Sequence, residues 1–441
     1  METRLAVIFV RTAEVSLACA LLLFVAFRGH AQGTTQLPPF PSDINEEPKV
    51  FDHYPTNPSL KPAFRVPVGP LGFSPPGSFY LLRQQALVSL DFFDENRLLF
   101  TFHKKALEVR EFPNNESTKE RQIRAVVIEL PGGTIKAEAQ WTVPDQKRYL
   151  WMLKGGHFLL RDADGLEQGD AGLQTIPSLR LPGHLLWVEL DPAQKIMITN
   201  SLEAGAALEP QGKAGSLAMA ANQQKAGVQQ TLVVRTIVRQ SGEVIHTMRA
   251  PWTAQKRDWP ANAEGYVESG QVSGTQWSLK LNLFTGGSQA VGLVDSICQP
   301  ATAFVTETEL AVSACNLGGG GKFIALSTDN GIKHWQVTTA TNSILPLVVA
   351  APDGSRVARE TLLLKRPAAR YKHQKLVGAE DLMGQVVRVM DTADGKVAFE
   401  APLTPILDGG GNVTISPSGR RVAILNDGAI EVFELPAARV P

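Results

Sequence analysis

The chain has 441 residues, of which 44% are hydrophobic and 20% are charged, and Lys+Arg and Asp+Glu both number 43. This is the composition of a globular protein that is long enough to bury a full core. Because the formal net charge is zero, no overall field attracts nucleic acid, and we predict no nucleic-acid partner.

The N-terminus has the pattern of an export signal. Two arginines precede an apolar run over residues 15–27, and Gly29-His30-Ala31 places small residues where a signal peptidase cleaves. The run is shorter than the roughly 20 residues that a membrane-spanning helix needs. We therefore predict a signal peptide over residues 1–31, a mature chain without a transmembrane segment, and a periplasmic or secreted location.

Export changes the interpretation of the cysteines. Cys19 lies in the predicted signal, so the mature chain keeps only Cys298 and Cys315. In an oxidising compartment, two cysteines form a disulfide more often than a metal site or a nucleophile. The sequence between them is typical of a hairpin whose second strand ends at Cys315. We predict a disulfide between Cys298 and Cys315.

Residues 32–84 are rich in proline and include Pro38-Pro39 and Pro75-Pro76. Proline fixes φ and removes an N–H donor, which favours extended chain. We expect this segment to lie as a strap over the surface of the domain that follows. A proline-rich docking segment is the alternative.

From Ala86 onward, short apolar runs alternate with turn residues, which is typical of β-structure. Residues 203–229 interrupt this pattern with Ala, Gly and Gln, and we predict an insertion loop there. A further hairpin is predicted within residues 290–313. The other predicted strands are 87–93, 98–102, 125–130, 134–141, 149–153, 158–160, 185–190, 196–198, 231–238, 243–248, 276–284, 323–326, 332–337, 345–350, 357–364, 385–390, 397–401, 413–415, 422–425 and 430–435.

The last of these strands suggest how the strands assemble. Three antiparallel strands fit into residues 411–436, with tight turns at Ser416-Pro417-Ser418-Gly419 and Asn426-Asp427-Gly428, and they make most of one propeller blade. Stacking such blades in a ring buries their apolar faces and limits exposed edges. We predict an all-β protein with a β-propeller over residues 85–437. Seven blades fit best, six or eight are alternatives, and a β-sandwich with appended domains is the second architecture.

Two repeats carry a resemblance to a known family. Residues 415–423, which contain Ser-Pro-Ser-Gly-Arg-Arg, together with residues 427–433, and more loosely residues 351–358, resemble the WD40-like repeat of exported bacterial propellers of the TolB type. The stretches 88–103 and 121–127 resemble exported propeller proteins of acidobacteria. The resemblance implies a propeller fold and leaves the activity open.

The sequence motifs for chemistry are incomplete. Gly318–Gly321 is followed by Lys322 but by no Ser or Thr, which a phosphate-binding loop needs. The run Asp162-Ala163-Asp164-Gly165 lacks the later ligands of a calcium loop. The eight histidines are scattered, without zinc spacing, and no Gly-x-Ser-x-Gly elbow occurs. We predict no catalytic residue, no metal ligand and no cofactor.

Two surface interpretations compete with plainer ones. Tyr149 and Trp151 are compatible with a sugar platform on one strand face, although core packing is the more common role of such residues. A basic stretch over residues 365–375 is compatible with an anionic ligand or with a solvated loop.

The sequence therefore predicts a non-catalytic exported binding or scaffold protein, monomeric, whose partner is a protein or a glycan. The alternative is a propeller enzyme, such as a hydrolase, a lyase or a quinoprotein-like enzyme, with its site at the mouth of the channel. Carboxylate, His or Arg side chains that converge on that mouth with shifted pKa values would favour the enzyme.

Overall fold

The computed structural model of this protein describes residues 50–76, 85–103, 120–144, 147–162, 165–202, 231–251, 259–316, 319–371 and 378–439. The predicted signal peptide, residues 32–49 and 77–84 of the proline-rich segment, and the whole predicted insertion 203–229 lie outside the described residues.

The described residues form β-strands and two short 3-10 helices, Ala368–Tyr371 and Ala379–Asp381, and they contain no α-helix. The first strands are β1 (Phe64–Pro67), β2 (Val88–Asp94), β3 (Arg97–His103), β4 (Glu120–Glu129), β5 (Thr134–Pro144), β6 (Leu150–Leu153), β7 (His157–Asp162), β8 (Gly165–Asp170), β9 (Thr175–Arg180), β10 (His184–Leu190), β11 (Ile196–Leu202), β12 (Thr231–Val238) and β13 (Glu243–Pro251). The others are β14 (Gly265–Ser273), β15 (Gln276–Leu283), β16 (Ser288–Asp295), β17 (Ala301–Phe304), β18 (Glu309–Cys315), β19 (Gly321–Ser327), β20 (Lys333–Thr339), β21 (Ser343–Ala350), β22 (Arg356–Leu364), β23 (Leu382–Asp391), β24 (Val397–Leu403), β25 (Val413–Ile415), β26 (Arg421–Asn426) and β27 (Ala429–Glu434).

These strands make seven antiparallel sheets, and each sheet is one blade of a propeller. Blades one to six are β2–β5, β6–β9, β10–β13, β14–β16, β17–β20 and β21–β24, and blade seven joins β25–β27 to β1. The prediction of an all-β propeller with seven blades is confirmed. Five strands were not predicted from the sequence: β1, β8, β9, β14 and β16.

The first strand of each blade lies innermost. Contacts join β2 to β6, β2 to β25, and β21 to β25, so the first strands of neighbouring blades meet around the axis. In blade four, residues 259–261 take this innermost place. They run beside β14, where the Pro260 carbonyl accepts the Val267 N–H at 2.8 Å and Ala261 bridges Tyr266.

The ring is closed by strands from opposite ends of the chain. Strand β1 pairs antiparallel with β27, with Phe64 opposite Val432 and Pro67 opposite Ala429. The proline-rich segment therefore supplies the outermost strand of blade seven. Val66, the buried residue of β1, packs into the hydrophobic cluster between blades seven and one.

The core consists of apolar clusters between adjacent blades, because each blade buries its two faces against its neighbours. Aromatic pairs cross these interfaces. The Trp141 and Phe158 ring centroids lie 5.2 Å apart between blades one and two, and the Phe399 and Phe433 centroids lie 4.6 Å apart between blades six and seven. This packing is the physical basis of the sequence prediction, since a single blade cannot cover its own apolar faces.

Residues 50–63, which we call the strap, cross blade six before they reach β1. The Val50 carbonyl accepts the Thr341 N–H at 2.8 Å, and the Ser59 N–H donates to the Glu400 carbonyl at 2.7 Å. Asp52 exchanges two hydrogen bonds of 3.0 Å with the Asn342 side chain. The described part of the proline-rich segment is thus extended chain that is hydrogen-bonded to the propeller surface.

Candidate functional site

The two ends of the ring differ in the length of their connections. At one end, the first strand of each blade turns into the second, and the third strand of blades one to six turns into the fourth, through connections of at most five residues. We call this the turn end. The first-to-second connections are residues 95–96, 154–156, 191–195, 262–264, 305–308, 351–355 and 416–420.

The opposite end, which we call the loop end, carries the long connections. They join β1 to β2 (68–87), β3 to β4 (104–119), β11 to β12 (203–230), β22 to β23 (365–381) and β24 to β25 (404–412). Surface connections that differ in length on a rigid scaffold are where binding residues concentrate. The loop end is therefore the candidate ligand-binding face.

Side chains at the turn end bond one blade to the next through main-chain atoms. Glu95 Oε1 accepts the Ser418 N–H at 2.8 Å between blades one and seven. Gln194 Oε1 accepts the Lys154 N–H at 2.6 Å between blades two and three. These polar side chains act as fixed hydrogen-bond partners within the ring.

Glu307 joins three blades at the turn end. Its Oε1 accepts the Ala193 N–H of blade three at 2.6 Å, and its Oε2 accepts the Ala263 N–H of blade four at 2.8 Å. Its carbonyl accepts the Asn262 Nδ2–H at 2.8 Å. Glu307 belongs to blade five, and its carboxylate therefore binds the turns of both blade three and blade four.

Asp191 lies beside Glu307 and is 1% exposed. Its Oδ1 accepts the Ile196 N–H at 2.6 Å, while its Oδ2 is buried without a hydrogen-bond partner. Burial and, to a smaller extent, the Glu307 charge raise the pKa of Asp191 to about 6. The turn end thus holds a carboxyl group with a raised pKa, Asp191, beside the Glu307 side chain.

A second buried carboxyl lies near the loop end. Glu360, in the middle of β22, is 1% exposed, and its Oε2 accepts the Gln385 Nε2–H at 3.1 Å. Gln385 Oε1 accepts both the Leu407 N–H at 2.8 Å and the Asn412 Nδ2–H at 3.0 Å. The other oxygens, Glu360 Oε1 and Asn412 Oδ1, are buried without partners. Burial raises the pKa of Glu360 to about 8, so this carboxyl is neutral at pH 7.

Some side chains on the innermost strands keep part of their exposure, although neighbouring blades cover both faces of each sheet. Ser89 and Asp91 of β2 and Trp187 and Glu189 of β10 are of this kind. Ser89 Oγ donates to Asp91 Oδ2 at 2.5 Å, and Trp187 Nε1 donates to Glu189 Oε2 at 3.2 Å. Burial raises the pKa of Asp91, which the Ser89 hydrogen bond and the Arg148 charge oppose.

The two cysteines also lie at the loop end. Cys298 precedes β17, Cys315 ends β18, and their Cα atoms are 5.7 Å apart with the sulfurs at disulfide distance. The pair holds the connection that enters blade five against the end of its second strand. The oxidation state of the pair in the protein stays a prediction.

The remaining predicted motifs are dispersed. Gly319 and Gly320 have positive φ angles and lead into β19, as a hairpin connection requires, while Gly318 lies outside the described residues. The Asp162–Gly165 run connects β7 to β8, with its two central residues outside the described part. Over the described ranges, no group of three or more His, Cys, Asp or Glu side chains gathers as a metal site would require.

The aromatic pair proposed as a sugar platform is packed inside the protein. Tyr149 is 1% exposed between blades one and two, and its hydroxyl lies 2.7 Å from Thr101 Oγ1. Trp151 is 3% exposed between blades two and three. The two rings do not share a face, so the platform interpretation is wrong and the packing interpretation holds.

Sequence reasoning missed Asp191, Glu307 and Glu360. The only local signal was at Glu360, a charged residue in the middle of a predicted apolar strand. Asp191 and Glu307 lie in ordinary polar turns, and only the ring brings them together.

None of the helices in the part of the chain that the structure describes combines the length and apolarity that a bilayer crossing needs.

Solved structures with a similar fold include an enzyme and binding proteins. The chain is similar to the Pyrococcus horikoshii acylaminoacyl peptidase, with 12% identity and a TM-score of 0.45 over 80% of this chain and 52% of that one. It is similar to TolB from Acinetobacter baumannii, with 13% identity and a TM-score of 0.35 over 73% and 77% of the two chains. It is also similar to Chaetomium thermophilum Sqt1 bound to the N-terminus of the ribosomal protein L10, with 10% identity and a TM-score of 0.40 over 80% and 97%.

At these identities the similarity concerns the fold alone. The chain spans about half the length of the peptidase. No protein-family model matches the sequence, and no curated protein matches it.

Proposed function

We propose that this protein is an exported binding or scaffold module whose partner binds at the loop end. The observation that carries this proposal is the difference between the two ends. Every connection at the turn end that lies between two strands of one blade is short, whereas residues 104–119, 203–230 and 365–381 all leave strands at the loop end. Long connections on a rigid ring provide a surface that can contact a partner.

The positions of the charged groups support a binding role over a catalytic one. At the turn end, both oxygens of Glu307 accept main-chain N–H groups, so this carboxylate is already occupied. Near the loop end, Glu360 is fully buried and hydrogen-bonded to Gln385. A general acid or base needs contact with substrate, whereas Glu307 is engaged by two main-chain N–H groups and Glu360 is buried.

The binding proposal predicts that variants at the two ends behave differently. Replacing residues 203–230 by an Asn-Gly turn between β11 and β12 shortens a loop-end connection and leaves every described strand intact. Glu264→Gln changes an exposed side chain at the turn end and serves as the matched control. We expect proteins or glycans captured from the periplasmic fraction by the purified wild-type protein to be lost with the loop variant and retained with Glu264→Gln.

Equal capture by both variants, with both folded by circular dichroism, contradicts the assignment of the loop end. Turnover of a hydrolase or lyase substrate panel by the wild-type protein favours the alternative, a propeller enzyme.

Export and oligomeric state belong to the same proposal. The sequence pattern of residues 1–31 and the cysteine pair support passage into an oxidising compartment. We expect the mature protein to begin at Gln32, to contain no free thiol, and to be a monomer. N-terminal sequencing, intact mass with thiol alkylation, and light scattering check the three statements separately.

A further inference from the structure

At the turn end, the Glu307 side chain of blade five reaches the turn of blade three that contains Asp191, and the two carboxyl groups interact although their blades are not adjacent. Asp191 follows β10 of blade three, and Glu307 lies between β17 and β18 of blade five. The Glu307 carboxylate also accepts the N–H groups of Ala193 and Ala263, at 2.6 and 2.8 Å. The position of this one side chain therefore determines how the turns of blades three, four and five meet.

When both carboxyl groups are ionised, neither can donate a hydrogen bond to the other. Asp191 Oδ1 accepts the Ile196 N–H, but Asp191 Oδ2 is buried and has no donor. The Glu307 oxygens accept main-chain N–H groups, and an ionised carboxylate carries no hydrogen to donate. Two ionised carboxyl groups beside each other repel, whereas a proton between them converts the repulsion into a hydrogen bond.

We propose that a proton shared by Asp191 and Glu307 holds the turns of blades three, four and five together, and that its loss loosens the turn end of the channel. In protein that retains the proton, the Glu307 side chain holds the three turns together. Protein that has lost it keeps two like charges side by side, that of Asp191 buried and that of Glu307 partly exposed, and the repulsion is relieved when the Glu307 turn moves away and its bonds to Ala193 and Ala263 break.

Charged groups on the surrounding elements do not compensate the second negative charge. Lys195 and Arg239 lie on blade three, Glu264 on blade four and Lys154 on blade two. The Arg239 Nε–H is donated to the Gln194 carbonyl at 2.7 Å, and Lys154 contributes its main-chain N–H to the Gln194 side chain. Among charged side chains, only Glu307 affects the ionisation of Asp191.

The direction of the pH effect follows from the pKa of Asp191, which burial raises to about 6. Below pH 6 the pair keeps its proton and the turns are held together. Above pH 6 the pair loses its proton, so the contact weakens as the pH rises. At neutral pH most molecules have therefore lost the shared proton, and the contact between the turns is weakened.

Hydrogen exchange tests the proposal on the full chain. We compare exchange of peptides that cover residues 191–196 and 259–265 at pH 5 and pH 7.5, after correction for the chemical exchange rate. In the wild-type protein we expect protection of these peptides to fall by about tenfold at the higher pH, since one pKa unit corresponds to a factor of ten. Peptides of β22 and β23 report on global opening and should not change in proportion.

Glu307→Gln isolates the proton. The amide offers an N–H to Asp191 Oδ2 at every pH and keeps one oxygen for a main-chain N–H, so protection should be equal at pH 5 and pH 7.5. Asp191→Asn places an N–H on the other side of the same contact and should behave alike. Glu264→Gln, an exposed change on a neighbouring turn, should keep the wild-type pH dependence.

Equal protection at the two pH values in the wild-type protein overturns the proposal. So does a wild-type loss of protection that both Glu307→Gln and Asp191→Asn retain, because that loss would then not depend on the shared proton.

Discussion

At the scale of single residues, Glu360 shows how burial of one polar group affects the whole protein. Its pKa is raised to about 8 by burial, whereas the unfolded chain has a pKa near its ordinary value. Folded protein therefore holds a proton that unfolded protein releases between these two pKa values. The free energy of unfolding should fall as pH rises through this window, by about 3 kcal/mol between pH 4.5 and pH 7.

Glu360→Gln is expected to remove most of this pH dependence, because the amide is neutral at every pH and similar in shape to the protonated acid. Urea unfolding at pH 5 and pH 7.5 measures the effect. Glu243→Gln, at an exposed position at the start of β13, should leave the wild-type dependence unchanged. A wild-type slope that persists in Glu360→Gln would show that other groups cause it.

The residue scale is also where sequence prediction stops. The strand over residues 357–364 was predicted from its apolar residues, and it forms as part of β22. The role of Glu360 within it depends on Gln385 and Asn412, which arrive from the next strand and the next blade. No local pattern contains that information, because hydrogen bonding between distant residues leaves no periodicity in the sequence.

At the scale of elements, the strands that the sequence missed lack a continuous apolar face. β8 (Gly-Leu-Glu-Gln-Gly-Asp) contains two glycines, and β9 contains Pro177 and faces solvent along most of its length. β14 is exposed in its second half. These segments are held in the sheet by pairing with a neighbouring strand. Apolar patterns in the sequence predict buried strands, but they do not predict strands that form because a neighbouring strand pairs with them.

The cysteine pair is predicted to stabilise blade five. It closes a loop of 17 residues, for which loss of chain entropy in the unfolded state gives about 3 kcal/mol. We expect Cys298→Ser with Cys315→Ser, or wild-type protein in dithiothreitol, to unfold at a lower temperature. Calorimetry with and without reductant checks this, and insensitivity of the wild-type protein to reductant would show that the bond is absent.

The strap contributes a charge to blade six. Arg359 and Arg388 lie opposite each other on β22 and β23, and Asp52 Oδ2 bonds Arg388 Nη1 at 2.7 Å. Burial and the Arg388 charge lower the pKa of Arg359 to about 10. Asp52→Asn should lower the free energy of unfolding by about 1–3 kcal/mol, since it leaves two arginines with less compensation.

A double-mutant cycle separates this charge effect from general damage to the strap. In an Arg359→Met background the like charge is gone, so Asp52→Asn should cost less than in the wild-type protein. Denaturant unfolding of the four proteins gives the coupling free energy. An equal cost in both backgrounds would show that Asp52 acts independently of Arg359.

At the scale of the whole molecule, the sequence predicted the ring but not how it closes. Repeated strand-and-turn units indicate blades whose faces need neighbours, which is enough to favour seven blades over residues 85–437. Closure depends on Phe64–Pro67, four residues in a proline-rich stretch. Their pairing with β27 is decided by geometry after the other blades have formed, and the sequence around them indicates only extended chain.

Ring closure can be tested with two changes of the same charge. Val66→Asp places a carboxylate in the cluster between blades seven and one, whereas Pro67→Asp adds it on the exposed side of the same strand. Burial of an unpaired polar group costs about 1–3 kcal/mol or more. We expect thermal unfolding at a clearly lower temperature for Val66→Asp only. Similar melting temperatures for the two variants would mean that β1 contributes little to closure.

The pairing of β1 with β27 also sets an order of events during synthesis. Arg65 and Asp427 are 362 positions apart, yet they form an ion pair across the last blade. Strand β1 therefore has no partner until β27 has been synthesised. Until then the nascent chain contains β1 without a paired strand and a ring of blades that is not closed. A product truncated shortly before residue 429 cannot complete the circle, so premature termination yields a species with open edges at both sides of the gap.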